Sequence, residues 1–166
     1  MDEIIGGWEV NSIFNQHTGF AWSTVSNAFV PSYSNDAQAF FNGPKNDQYA
    51  HINKNSASQV NVFTNGVAAA SEFSGPVGFA IGPRNNMRGP GYFDMDSGIA
   101  KTFAIVPDHG VNLTFRADWF NVLNHPSFST PGAPASNTDI TNGSFGIITT
   151  NSSVARIGQL ALRLEF

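Results

Sequence analysis

Along this chain apolar and polar residues alternate with period two in a few runs, separated by stretches with no sustained pattern. Such alternation places residues i, i+2 and i+4 on one face and points to β-strands covered on one side. The first run covers residues 8–15: Trp8, Val10, Ser12 and Phe14 share a face, with Glu9, Asn11 and Asn15 opposite. A turn at Gln16-His17-Thr18-Gly19 leads to a second run at 20–26, with Phe20 and Trp22 opposed to Ser23. In the third, 92–103, Phe93, Met95, Ile99 and Phe103 oppose Asp94, Asp96, Gly98 and Thr102. Pro107-Asp108-His109-Gly110 carries the residues of a tight turn. The fourth run, 111–123, sets Val111, Leu113, Phe115, Ala117 and Trp119 against Asn112, Thr114, Arg116 and Asp118. The last, 156–166, sets Leu160, Leu162, Leu164 and Phe166 against Gln159, Arg163 and Glu165. The pattern predicts an all-β protein, an antiparallel meander of about five long strands.

Residues 27–91 and 124–154 lie between these runs and are rich in Asn, Ser, Gly and Pro. Connections of this length are uncommon in compact domains and are usually functional or mobile. Brief strand-like runs occur at 60–64 and 77–81, and residues 37–41 offer one helical turn. Gly, Pro and Asn interrupt every window long enough for a longer helix.

The third to fifth strands span about 11 to 13 residues, against a globular mode of about five or six. A tilted strand needs about 9–11 residues to cross a bilayer. The connections alternate between short and long, as in bacterial barrels with short periplasmic turns and long extracellular loops. Counting back from a periplasmic C-terminus puts 124–154 outside, 104–110 inside, 27–91 outside and 16–19 inside. That parity predicts Trp8, Tyr92, Phe93, Trp119 and Phe120 near the outer rim, with Phe20, Trp22, Phe103 and Phe166 near the inner rim. Arg116, Asp118, Arg163 and Glu165 then face a polar interior; a lipid-facing Arg at the midplane costs roughly 2–4 kcal/mol. A soluble antiparallel sandwich, secreted as a binding or adhesin module, shows the same alternation with Leu and Phe in its core. Alternation alone does not separate the two.

Composition narrows the choice. Charged residues make up 12% of the chain, against roughly 25% in soluble domains, while aromatics reach 13% with 15 Phe. A formal net charge of −4 and eight scattered Lys and Arg argue against nucleic-acid binding, which needs clustered cations. There is no cysteine, hence no disulfide and no thiolate metal site. No apolar run reaches the roughly 18 residues of a membrane helix, so a membrane role requires a barrel. The N-terminal MDEIIGGWEV lacks the apolar segment of a signal peptide, yet an outer-membrane protein must be exported. The chain is accordingly expected to be a fragment of a larger exported protein.

Candidate chemistry is sparse. His17, His51, His109 and His125 fall in turns or connections without metal-ligand spacing. Asp94-Met95-Asp96-Ser97-Gly98 lacks the third acid and distal Glu of a calcium loop and reads as two inward acids on a strand. Gly82 to Gly91 is glycine-rich and basic without the Gly-Lys-Ser/Thr of a phosphate loop. It reads as a loop re-entering the barrel. Arg84 and Arg88 within it are candidates to pair with wall acids, to support the turn, or to meet an anionic ligand. No Ser, His and Asp set forms a nucleophilic triad, and neither enzymatic activity nor a cofactor is expected. Ligand candidates are Arg84, Arg88, Asp94, Asp96, Arg116 and Asp118.

Several longer segments, GPRNNMRGPGYFDMDSGIAKTF, LTFRADWFNVLNHPSF, SFGIITT and the closing RIGQLALRLEF, resemble the C-terminal end of TonB-dependent transporters. The likeness is to large Oar-like receptors with an N-terminal carboxypeptidase-regulatory-like domain. Members read GRN-x-x-RGPG, an aromatic, then D-x-S-x-x-K-x-F. Gly82, Arg84, Asn85, Arg88, Gly89, Pro90, Gly91, Asp96, Ser97, Lys101 and Phe103 stand in those places, with Pro83 inserted. The family's FNLFNHPNF is matched by Phe120 to Pro126 and Phe128. Upstream, GGWEVNSIFNQHTGFAW is similar to the family's GGW strand and following turn, without the turn's proline. The resemblance covers most of the chain and is specific at 82–128 and 156–166. It implies a plugged barrel of about 22 strands, of which this chain holds about the last five. It implies as partners outer-membrane lipid, the remainder of the barrel and its plug, TonB reached through an N-terminal region, and an extracellular substrate of unknown identity. By the same resemblance Leu160, Leu162, Leu164 and Phe166 form the edge-strand signal that the barrel assembly machinery recognises by strand addition.

Overall fold

The computed structural model describes residues 6–27, 36–53, 59–132 and 135–166. In chain order the strands are β1 (Trp8–His17), β2 (Ala21–Trp22), β3 (Val25–Ser26), β4 (Ala37–Gln38), β5 (Phe40–Phe41), β6 (Val60–Asn61), β7 (Phe73–Ser74), β8 (Met87–Arg88), β9 (Tyr92–Val106), β10 (Val111–Phe120), β11 (Ile147–Ile148) and β12 (Ile157–Glu165). One α-helix, α1 (Gly66–Ala70), lies among them. The chain forms two compact units: one from 1–16, 93–126 and 153–166, the other from 17–92 and 127–152.

The first unit is a four-stranded sheet in the order β1-β9-β10-β12. β10 is antiparallel to both β9 and β12. Ser12 meets Ser97 through their hydroxyls at 2.8 Å, Phe14 packs edge-on against Phe93, and Lys101 reaches back to Gly6. Rising numbers on β1 thus meet falling numbers on β9, so this pair is antiparallel too. The β9–β10 hairpin turns through a 3-10 segment, Pro107–His109, and closes on Gly110 at φ 69°, a left-handed conformation that suits glycine.

Register fixes the faces. Leu113, Phe115 and Ala117 lie opposite Leu164, Leu162 and Leu160 on one side, and opposite Phe103, Lys101 and Ile99 on the other. The opposite face carries Thr114, Arg116 and Asp118 beside Arg163, Ala161 and Gln159. The apolar face is open at both edge strands: Val10 is 73% exposed, Leu160 72% and Leu162 71%.

The alternation at 92–103, 111–123 and 156–166 corresponds to β9, β10 and β12, and that at 8–15 to β1. Residues 20–26 differ. They form only the two-residue strands β2 and β3, which pair with β8 and β4 in the second unit. Trp22 is buried there in an aromatic core, so period-two alternation at 20–26 reflects a protein interior. The sheet therefore has four long strands, and Gln16 to Gly19 opens a long connection, 18–91. Loss of one strand reverses β1. Its Trp8 lies beside Lys101 and Phe103 at the C-terminal end of β12, while Tyr92, Phe93, Trp119 and Phe120 gather at the other end. The expected placement of Trp8 with the latter group is thus corrected, and Phe20 and Trp22 belong to the second unit.

The second unit is folded from the two long connections, and its sheets are four two-stranded pairs: β2-β8, β3-β4, β5-β7 and β6-β11. Its core holds Trp22, Val62, Phe63, Phe73, Met87, Phe145 and Ile148. Phe145 lies 5.1 Å from Phe63 and 5.2 Å from Phe73, the latter edge-on. Each such side chain contributes roughly 1.5–3 kcal/mol by burial. Residues 37–41 are not a helical turn: Ala37 and Ala39 are fully buried with Gln38 less so, a period-two pattern that belongs to β4 and β5. The helix is α1 instead, where Asn65 Oδ1 accepts from the Ala68 amide, the expected role of an Asn N-cap. Runs 60–64 and 77–81 reduce to β6 and to a single bridge between Val77 and Ala80.

Candidate functional site

On the polar face of the sheet, Asn11, Asp96, Arg116, Asp118 and Gln159 line a cavity of about 470 Å³. Arg116 Nε donates to Asp118 Oδ2 at 2.7 Å, and Arg163 pairs with Glu165 at 2.7 Å. Both pairs join residues two apart on one strand, so they fix side-chain directions without stapling strands together. Gly98 makes room for Asp118 and Asn11. A Cβ there would stand 2.5 Å from Asp118 Oδ1 and 2.6 Å from Asn11 Oδ1. Asp96 Oδ1 accepts the backbone amide of Asn121 at 2.9 Å. Asp94 Oδ1 is enclosed and makes no hydrogen bond among the described residues.

The end of β10 is tied by Asn121. Its Oδ1 accepts from the His125 amide, and its Nδ2 donates to the carbonyls of His125 and Val154 at 3.1 and 2.8 Å. Asn121 and Asn124 have φ of 47° and 50°, which asparagine tolerates better than most residues. Asn124 Oδ1 also accepts the Arg156 amide. The Asn-x-x-Asn-His spacing is thus a clasp between the end of β10 and the start of β12, a structural reason for that sequence.

Arg84 and Arg88 lie in the second unit, and both are exposed. The ion pairs among the described residues are His51–Asp47, Arg116–Asp118 and Arg163–Glu165. Neither Arg84 nor Arg88 takes part in these pairs. The segment 82–91 belongs to the second unit. Its glycines serve close backbone approach within the second unit: a Cβ on Gly82 would collide with the Ala39 carbonyl. Asn86 Nδ2 donates to Thr24 Oγ1 and to the Ala39 carbonyl. The structure therefore brings Asp96, Arg116 and Asp118 to one cavity and places Asp94 on the same face; Arg84 and Arg88 belong to the second unit.

Within the second unit, Gln59, Asn61, Thr64, Asn65, Thr141 and Asn142 help line a cavity of about 580 Å³. A smaller one, about 190 Å³, is formed by His17, Phe20, Tyr92, Phe128 and neighbours, with His17 stacked on Tyr92 at 5.1 Å.

A family model described as outer membrane beta barrel domain matches residues 1–159. The chain belongs to this family of outer membrane β-barrel domains. No curated protein and no solved structure matches it. The family places the protein in the bacterial outer membrane. Among the described residues no helix is long and apolar enough to cross a membrane, and a barrel domain crosses with strands. The matched region stops short of Leu160 to Phe166. For those residues the structure shows an edge strand, β12, whose leucines are exposed, followed by Phe166, 98% exposed.

Three features of this barrel domain escape sequence reasoning. Lys101 sits on the apolar face, Asn121 is a buried clasp, and the connections share one core. Lys101 carried a signal, a cation in phase with Ile99 and Phe103. The core carried none, since its residues come from separated short segments.

Proposed function

We propose that this outer membrane β-barrel domain is the C-terminal part of a TonB-dependent transporter of the Oar-like kind. The observation that carries the reading is the four-stranded sheet, apolar and exposed on one face, charged on the other, and open at both edges. Small closed barrels need about eight strands, so further strands from a longer chain must complete the wall and surround a plug. The face of Phe115 and Leu162 meets lipid, and the face of Arg116 and Asp118 lines the lumen. Connections 18–91 and 121–156 begin and end at the same end of the sheet; they are the extracellular loops, and the turn at 107–110 is periplasmic. Leu160, Leu162, Leu164 and Phe166 present the edge that the assembly machinery captures by strand addition. The transporter role needs no enzymatic step and no cofactor from this chain.

A sandwich adhesin would need the same leucines covered by a second sheet, whereas they are exposed. The transporter reading is tested on the longest in-frame gene product. It predicts heat-modifiable migration in the membrane fraction and copurification with the periplasmic domain of TonB. A heat-modifiable product that never retains TonB would leave a barrel and remove the transporter.

A further inference from the structure

We infer that the larger cavity of the second unit is a binding site for an uncharged oligosaccharide. The inference deepens the transporter reading, because it names a ligand class for the loops that reading places outside the cell.

The cavity, about 580 Å³, falls within the roughly 300–1,000 Å³ of ligand clefts. Its walls come from both connections, held together by the antiparallel pairing of β6 with β11. Among the described residues its polar lining is made of the carboxamides and hydroxyls of residues 53, 59, 61, 64, 65, 141 and 142, with no charged side chain. A phosphate, carboxylate or ammonium entering it would give up hydration and meet no opposite charge among these described lining residues. A sugar hydroxyl both donates and accepts, as a carboxamide does, so the two match without burying an ion.

The lining is also fixed in advance. Asn61 Nδ2 donates to the Phe145 carbonyl at 3.0 Å while its Oδ1 accepts from the Phe63 amide at 2.8 Å. Asn65 Oδ1 is held by the Ala68 amide, and Asn142 Oδ1 by the Ser144 amide and hydroxyl. These internal bonds orient the Nδ2 groups of Asn65 and Asn142 as donors, and such prior ordering lowers the entropic cost of binding. Val67, 88% exposed at the wall, supplies an apolar surface for the C–H face of a pyranose. A peptide would instead ask for an open strand edge or for apolar pockets.

The test uses the full-length protein in detergent on an array of neutral gluco-, manno-, galacto- and xylo-oligosaccharides, their acidic counterparts, and uncharged hexapeptides. Neutral glycans should be retained. Val67→Arg changes an exposed position and should weaken retention by about tenfold or more by obstructing the wall and adding charge. Asn142→Asp preserves the acceptor for Ser144 and should weaken it as well. Near-UV circular dichroism of both variants should match the parent. Retention of no neutral glycan, equal retention of acidic ones, retention of peptides alone, or indifference to both substitutions would each overturn the inference. Neutral-glycan binding without TonB copurification would keep the site and remove the transporter reading; TonB copurification without glycan binding would do the reverse.

Discussion

Lys101 Nζ donates to the backbone carbonyl of Gly6 at 2.8 Å, under the rings of Trp8 and Phe103 at 5.2 and 5.0 Å. A lysine on the otherwise apolar face of β9 is thereby 3% exposed. Among the described residues its charge meets a carbonyl and two ring faces, a buried setting in which cation–π attraction is strongest. The bond holds the entry to β1, an edge strand whose other side is open. Lys101→Met keeps most of the packing and loses the bond. Amide exchange at the start of β1 should quicken by about tenfold, the equivalent of about 1.4 kcal/mol, with β10 and β12 unchanged. Unaltered exchange at Val10 would show that the contact does not secure the strand.

Asn121 is 2% exposed, makes three side-chain hydrogen bonds and holds a left-handed backbone. Asn121→Ala leaves the His125 and Val154 groups without these partners and adds backbone strain, so it should cost about 3 kcal/mol. Asn121→Gly relieves only the strain and should recover about 1 kcal/mol of that. Urea unfolding of the detergent-refolded protein gives both values, and equal losses in the two variants would mean that the backbone conformation is immaterial.

Two glycines should respond differently to the same change. At Gly82 an added Cβ meets the Ala39 carbonyl and the Phe40 amide, which are backbone and do not yield. Gly82→Ala should therefore destabilise the second unit by about 3 kcal/mol or more. At Gly98 the Cβ meets only the tips of Asp118 and Asn11. These can swing aside, and the stiffer unfolded chain offsets part of the cost, so Gly98→Ala should change stability by less than about 1 kcal/mol. A large loss at Gly98 would show that the Asp118–Asn11 arrangement is rigid.

Phe166 is 98% exposed, so removing its ring costs almost nothing in the folded sheet. Phe166→Ser should lower the amount of assembled protein in the outer membrane while leaving its unfolding midpoint unchanged. An equal yield would deny the residue a role in assembly, and a lowered midpoint would make that role structural.

Long strands were legible because register repeats one physical demand many times. Leu160, Leu162 and Leu164 recur at every second position on one face, and the pattern survives a single lapse such as Lys101. The same rule misled at Phe20 to Ser26. Alternation reports an apolar neighbour on one side without saying whether it is lipid or a core, and for Trp22 it is a core. One misplaced strand then reversed β1 and moved Trp8 to the wrong end. The second unit was illegible for a different reason. Phe63, Phe73 and Phe145 lie in short segments broken by Asn, Ser and Gly, so no window around them contains a sustained period. Only tertiary pairing, β6 with β11 above all, brings them together. Among the candidate residues, Asp96, Arg116 and Asp118 shared a strand face in the pattern. Arg84 and Arg88 belong to the second unit, in a segment where no period marks a face.

The absence of cysteine permits single-cysteine reporters, and these test the central claim, a barrel wall with lipid on one side and lumen on the other. Cysteines are placed singly at Leu162 and Arg163, adjacent on β12, in the full-length protein inserted in outer membranes, and probed with a hydrophilic maleimide and with a lipid-borne quencher of an attached fluorophore. The account predicts that Leu162→Cys is quenched from the lipid and resists the maleimide, while Arg163→Cys labels readily and escapes the quencher. Equal labelling at both positions, or the reverse pattern, would contradict it.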